Sequence, residues 1–339
     1  MNIRRISSGH SAAGFVLPSV LVFILVFSII GLIGTRAARE GQSLVRELEG
    51  RFEAERALLG TESRAVFALL TSPPVRGGID LAAPASEEVP DPFGGLAEAP
   101  DGPSFWSAAG GQRRDVTGAV VTYRDASGLV SLNSQQPEEI EALLQGLGIG
   151  SDRSRRLAAK LLDYTDEDDR RRFMGAERPA YRLLQRPLPT NSPLRSVLEA
   201  YNVAEWAQEG RLWQDRTLLG YTTTQPRAYR VQAETASPQL REILNLDEEG
   251  GPGSQEEGVF AVAPLGPSGR ARLVLSIDLP VGGENATMTT RRLERAIEIE
   301  RLPQAPDRPY HRHFLWDEIR TRTSDEPDRP GPPLLSPDS

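Results

Sequence analysis

Between Ser11 and Thr35 the chain carries no charged side chain. As a helix rising 1.5 Å per residue, those 25 residues would reach about 37 Å, more than the ~30 Å hydrocarbon core of a bilayer. A stretch this long and apolar has to be a membrane span or a targeting signal. Arg4 and Arg5 precede it, which favours a cytoplasmic amino end. Arg36 and Arg39 on the far side weaken that bias, and Glu40 partly offsets them. A secretory signal carries its small residues after the apolar run. Here Ser11, Ala12, Ala13 and Gly14 come before it. Thr35-Arg36-Ala37 is a passable conventional cleavage site, so a cleaved signal and a plain uncleaved anchor both stay open.

Composition removes several classes of function. The 339 residues carry a net charge of −8, which argues against a large phosphate-binding surface. There is no cysteine, hence no disulfide, thiolate metal site or thiol nucleophile. The three histidines, His10, His311 and His313, lie near the two ends. No serine triad or zinc pair can be built from them in the middle of the chain. Lys160 is the sole lysine and follows no glycine-rich loop. No enzyme is expected.

Behind the apolar run, residues 36–72 keep a helical pattern. Leu44, Leu48, Phe52, Leu59, Val66 and Leu70 fall within about 80° of arc, and Ser72-Pro73-Pro74 ends the helix. Residues 73–118 read as a surface connection, with Phe93, Phe105 and Trp106 tacking it to the core. Ala119–Asn133 reads as two strands joined by a turn at Asp125–Gly128. Ile140, Leu143, Leu144 and Leu147 then mark one helix, and Leu157, Ala158, Leu161 and Leu162 a second that Ser151 can cap. Gly148–Gly150 joins them into a helix-hairpin-helix. In nucleic-acid-binding hairpins such a glycine turn brings backbone amides to a phosphate. Arg153, Arg155 and Arg156 follow the turn, but Asp163, Asp166, Glu167, Asp168 and Asp169 come soon after. A membrane-anchored DNA-uptake protein is therefore the alternative reading, with nucleic acid opposed by the charge balance.

Two sets of residues carry a family resemblance. Gly14–Phe15 ahead of the apolar run is similar to the class III signal of type IV pilins and type II secretion pseudopilins. In that family a basic leader is cut after glycine, and phenylalanine becomes the methylated mature terminus. Pro18 would then sit in the first helical turn, where its missing N–H costs nothing. Most such subunits carry a glutamate as the fifth mature residue; here that place is Ser19. A carboxylate in the bilayer needs a partner, so a subunit with none above it does better without one. Further along, Leu132, Asn133, Asp163, Tyr164, Asp166, Asp168, Gly175, Ala176, Glu177 and Tyr181 resemble the motif of the minor pseudopilin K family. Ser134 and Tyr164 stand where that family usually has threonine and tryptophan.

The resemblance implies an α+β fold: a pilin-like amino-terminal helix on a small antiparallel sheet, with a large all-helical insertion of helix-hairpin-helix or SAM-like type. It also implies a single-pass inner-membrane protein with a periplasmic carboxyl-terminal domain, at the tip of a secretion pseudopilus. The implied partners are minor pseudopilins of types I, J and H, the major pseudopilin, the prepilin peptidase and the inner-membrane assembly platform. A plain anchored periplasmic domain is a third possibility. Clustered carboxylates suit calcium, with Asp166, Asp168 and Glu177 as first ligands and Asp163 behind them. The spacing is not that of an EF-hand, because Arg170 and Arg171 take the places of a ligand and the glycine. Arg170, Arg171 and Arg172 could equally neutralise a solvated turn.

The segments 227–235, 258–265 and 271–279 alternate or run apolar as short strands. The expected organisation is a leader at 1–14, a membrane segment at 15–35 and a stem at 36–72. A linker with first strands at 73–133, the helical insertion at 134–220 and closing strands at 221–301 follow. A Pro- and Arg-rich mobile tail occupies 302–339.

Overall fold

A computed structural model describes residues 16–82, 97–134, 136–225, 230–246, 268–279, 289–301 and 310–323. The expected cleavage pair Gly14–Phe15, the 258–265 strand and Phe93 lie outside the described residues.

Helix α1 (Val16–Thr71) is continuous from the apolar run into the stem. An 18-residue window within it reaches a mean hydropathy of 2.4 and is bare of protein contacts. Its upper half lies on an antiparallel sheet built, among the described residues, of β4 (Ala109–Arg114), β5 (Val120–Asp125), β8 (Arg270–Leu279), β9 (Thr289–Arg301) and β10 (Tyr310–Thr323). Their order is β10-β9-β8-β5-β4. The core between helix and sheet is built from Leu58, Ala65 and Leu69 against Val121, Tyr123, Leu273, Leu275, Ile297 and Ile299.

The stem buries a different face from the one its large apolar residues mark. Ala54, Leu58, Thr61, Glu62, Ala65 and Leu69 are buried, a stripe about 100° round the helix from the expected one. Leu44, Leu48, Phe52 and Leu59 remain 51–67% exposed, and only Val66 of that set is buried. The alanines let the helix approach the sheet closely. Thr61 and Glu62 are tolerated because each finds a partner. Thr61 Oγ1 donates to Asp115 Oδ2 at 2.9 Å, and Glu62 Oε2 accepts from Arg312 Nη2 at 3.0 Å.

The 73–118 connection is more structured than expected. β1 (Pro74–Val75), β2 (Gly78–Asp80) and β3 (Phe105–Ser107) form a small sheet, and β4 joins the main one. Trp106 anchors it: the ring is fully buried, packs edge-on to Tyr123 at 5.3 Å, and its Nε1 donates to the Gly111 carbonyl at 2.9 Å.

Between β5 and β8, which are neighbours in the sheet, the chain leaves to build a helical domain and returns. The two strands read in 119–133 part company. β5 stays in the main sheet, while β6 (Val130–Ser131) pairs in parallel with β7 (Thr222–Thr223). The domain contains α2 (Pro137–Gly146), α3 (Ser151–Thr165), α4 (Arg178–Leu183), α5 (Gly210–Trp213), α6 (Thr217–Tyr221) and α7 (Pro238–Leu244). Gly148 takes φ +83° in the hairpin turn, which glycine adopts without a Cβ penalty. Gly150, rather than Ser151, is the residue capping α3.

The helical core runs from Val130 to Leu244, past the expected end at residue 220. Within the expected strand at 227–235, residues 230–235 form coil and turn instead. Val231 N donates to the buried Glu139 at 2.9 Å, and Thr235 Oγ1 meets Ser127 Oγ at 2.8 Å. Ser237 then caps α7, accepting from Leu240 N at 3.3 Å, with Pro238 as first helical residue. The expected tail holds a 14-residue strand, β10, paired along β9 with one irregularity between Phe314 and Trp316. The helical domain is tied to the back of the sheet by Arg272 donating to the Leu219 carbonyl, and by Arg216, which pairs with Glu318 and lies 4.6 Å over the Trp316 ring.

Candidate functional site

The acidic turn leaves the end of α3 and runs to the start of α4. Asp163 is on the last turn of α3 and fully buried. Its two oxygens accept from Arg172 N at 3.2 Å each, and Oδ1 also accepts from Arg172 Nη1 at 3.1 Å. Arg172 Nη1 bonds Asp166 as well, so this guanidinium bridges the two aspartates. Burial works against the Arg172 charge, but these two carboxylates hold its pKa above the usual range. Burial pushes the Asp163 carboxyl up, against the pull of Arg172.

Glu177 differs from the rest. It is 4% exposed, and neither carboxylate oxygen has a hydrogen-bond partner. Burial, then the fields of Asp163, Asp166, Asp169 and Asp168, push its pKa up to about 7. Asp166 Oδ1 and Asn191 Oδ1 are also buried without partners. Asp168, by contrast, is exposed and accepts from Arg170 N at 2.7 Å. Of the four expected ligands, Asp163, Asp166 and Glu177 are thus drawn together, while Asp168 turns back on its own loop. Among the described residues no three His, Cys, Asp or Glu groups converge as a ready metal cage. The unpartnered oxygens of Glu177, Asp166 and Asn191 are nonetheless the donor type a hard cation takes.

Asn191 was not legible as part of this site. It sits at φ +47°, and its Nδ2 donates to the Asp168 carbonyl at 2.9 Å and to Asp169 Oδ1 at 3.0 Å. The available signal is that asparagine tolerates left-handed backbone, which the sequence Thr190-Asn191-Ser192 does not single out.

The other motif residues hold this turn in place. A Cβ on Gly175 would lie 1.9 Å from Asp163 Oδ2, so only glycine fits there. The Tyr164 and Tyr181 rings pack at a tilt of 47° with centroids 5.9 Å apart, and the Tyr181 hydroxyl accepts from Ala204 N at 3.0 Å. Asn133 clips the loop after α4: its Nδ2 donates to the Leu194 carbonyl at 3.0 Å, and its Oδ1 accepts from Leu194 N at 2.8 Å. The hairpin arginines are engaged internally. Arg153 pairs with Glu205 and Glu209, and Arg155 lies 3.9 Å from Glu141 and 3.8 Å from Asp152. Ser19 lies in the second turn of α1, inside the apolar run.

A half-bare helix laid on an antiparallel sheet, with a helical domain inserted between two neighbouring strands, defines a pilin-like α+β protein. Residues 119–212, which carry β5, the helical hairpin and the acidic turn, match the family profile of Type II secretion system (T2SS), protein K. Over that stretch the chain is similar to protein K of type II secretion systems. Among solved structures, "The Crystal Structure of the GspK-GspI-GspJ complex from enterotoxigenic Escherichia coli Type 2 Secretion System" is similar at 21% identity and a TM-score of 0.43, over 84% of this chain and 99% of that chain. No curated protein matches.

Proposed function

We propose that this chain caps a type II secretion pseudopilus, anchored in the inner membrane by α1 with its head in the periplasm, and that it starts the filament by binding minor pseudopilins of types I and J. The observation that carries the reading is the protein K domain at the far end of a pilin-like helix whose stripe Leu44, Leu48, Phe52 and Leu59 is left bare. Burying such a face is worth about 25 cal/mol per Å² of apolar surface, and another subunit's stem is a partner of matching length. Ser19 supports a terminal place, because a capping subunit has no neighbour above it to satisfy a membrane carboxylate. The purified chain should form a defined complex with I- and J-type subunits in sedimentation and should not polymerise alone. Homopolymers, or no association at tens of micromolar, would remove the tip assignment.

The acidic turn is proposed to take calcium, with Glu177, Asp166 and Asp163 around it and Asn191 as a neutral oxygen donor. Bound there, the cation would neutralise the mutual repulsion of these carboxylates and fix the turn. The hairpin alternative is disfavoured by the ion pairs that occupy Arg153 and Arg155.

A further inference from the structure

At the end of α1 farthest from its apolar run, a cavity of about 70 Å³ opens between stem and sheet. Its apolar walls include Leu69, Leu70, Pro74, Ile79 and Ile299. Arg301, Asp125 and Tyr123 also line it, as does Arg270, which is already paired with Glu300. It lies where β5 gives way to the helical domain and β8 returns from it, and junctions between domains are common places for binding sites.

The cavity contains a charged donor without an acceptor. Arg301 Nη2 is buried and makes no hydrogen bond. The nearby acid does not supply one. Asp125 is committed elsewhere, accepting from Ser127 N at 2.8 Å and from Ser268 N at 2.9 and 3.0 Å. Burial holds the Arg301 pKa below its ordinary value, against the fields of Tyr123 and Asp125. An incoming acceptor would offset that desolvation with a hydrogen bond, and a carboxylate matches a guanidinium best. Size narrows the choice. A cavity of about 150 Å³ holds a benzene-sized guest of six heavy atoms, so about 70 Å³ encloses roughly three, enough for the head of a side chain whose stem lies toward the mouth. A glutamate side chain has five beyond Cα; a nucleotide has several times that number.

We propose that this cavity receives one acidic side chain of a partner polypeptide. Its carboxylate lies on Arg301 and its methylene groups between Leu70 and Ile299. Charge complementarity selects that occupant, and the apolar walls select an acid with a hydrocarbon stem.

The test uses the full chain in detergent micelles, with butyrate as the mimic of a glutamate side chain and butyramide as its uncharged isostere. Saturation-transfer NMR should show saturable butyrate binding in the low millimolar range, as suits six heavy atoms. Binding of butyramide should be about tenfold weaker. The tripeptide acetyl-Leu-Glu-Leu-amide should displace butyrate. Arg301→Gln should abolish binding, and Arg301→Lys should retain part of it. Should Arg301→Gln fail to fold, Leu70→Trp fills the cavity from its half-buried rim with Arg301 kept, and it should abolish binding too. Equal binding of butyrate and butyramide, binding that survives Leu70→Trp, or none at all would overturn the proposal. Deletion of residues 247–267 separates the source of the acid. If butyrate binds only after the deletion, the occupant is the chain's own acidic segment and the assignment to a partner falls.

Discussion

Replacing Asp115 with alanine tests how the stem is held to the sheet. The Asp115 side chain is 2% exposed and sits between β4 and β5. It accepts from Arg64 Nε at 2.6 Å, Thr61 Oγ1 at 2.9 Å, Thr117 Oγ1 at 2.6 Å and Thr117 N at 3.1 Å. Three of these donors lie on side chains and two of those belong to α1, so one carboxylate fastens the helix to the sheet. Removing one member of a buried pair costs about 3–5 kcal/mol. Arg64 keeps 34% of its side chain in water, which softens the penalty at that end, so about 2–4 kcal/mol is expected. At ~2–4 °C per kcal/mol for a domain of this size, Asp115→Ala should lower Tm by roughly 5–15 °C. Trp106, buried in the same core, reports the transition by fluorescence. Glu55→Ala is the control: its pair with Arg51 is exposed and should matter by under about 0.5 kcal/mol.

The same substitution has a signed pH dependence. Burial raises the Asp115 pKa, but hydrogen bonds from Arg64, Thr117 and Thr61 outweigh it and hold the group well below the usual carboxylate range. The stabilisation is therefore complete above the unfolded pKa of about 3.9 and is lost as pH falls through the lower folded value. The gap between parent and Asp115→Ala should be flat from neutral pH to about 5 and should shrink below about 4. A gap under about 1 kcal/mol at pH 7, or one that widens in acid, would refute the clamp.

Calcium at millimolar concentration should raise Tm by several degrees through mass action, and Glu177→Gln should erase that response while leaving the chelated protein as stable or more so, because it removes one of several repelling charges. A melting curve indifferent to both calcium and chelator leaves only a solvated acidic turn. Amino-terminal sequencing of the chain from cells with a prepilin peptidase should read Phe15 first, and a bulky replacement of Gly14 should block the cut; an intact Met1 or a terminus at Ala38 would contradict the leader assignment.

What the sequence by itself determined was local or periodic. The uncharged run from Ser11 to Thr35 could only be a membrane-length helix or a signal. The spacings of Ile140, Leu143 and Leu144 and of Leu157, Ala158 and Leu161 defined α2 and α3, because each apolar set falls on one helical face. The motif from Leu132 to Tyr181 was legible because its members are fixed by close packing: Gly175 against Asp163, Tyr181 against Ala204, Asn133 against Leu194.

The tertiary structure decided which faces meet. The larger apolar stripe of the stem lost to an alanine-rich one, since approach to the sheet favours small side chains and leaves the bulky stripe free. Residues 230–235 gave up an extended reading because Ser127 and Glu139, about a hundred positions earlier, capture their polar groups. β8 and β9 carry arginines and glutamates whose charges are met by cross-strand pairs, such as Arg272 with Glu298 and Arg270 with Glu300. Spacing suggested Asp166, Asp168 and Glu177 as first ligands at the turn, with Asp163 behind them. Folding made them unequal, sending Asp168 to solvent, bridging Asp163 and Asp166 through Arg172, and burying Glu177 without a hydrogen-bond partner, because burial and partner choice depend on contacts that no local pattern records.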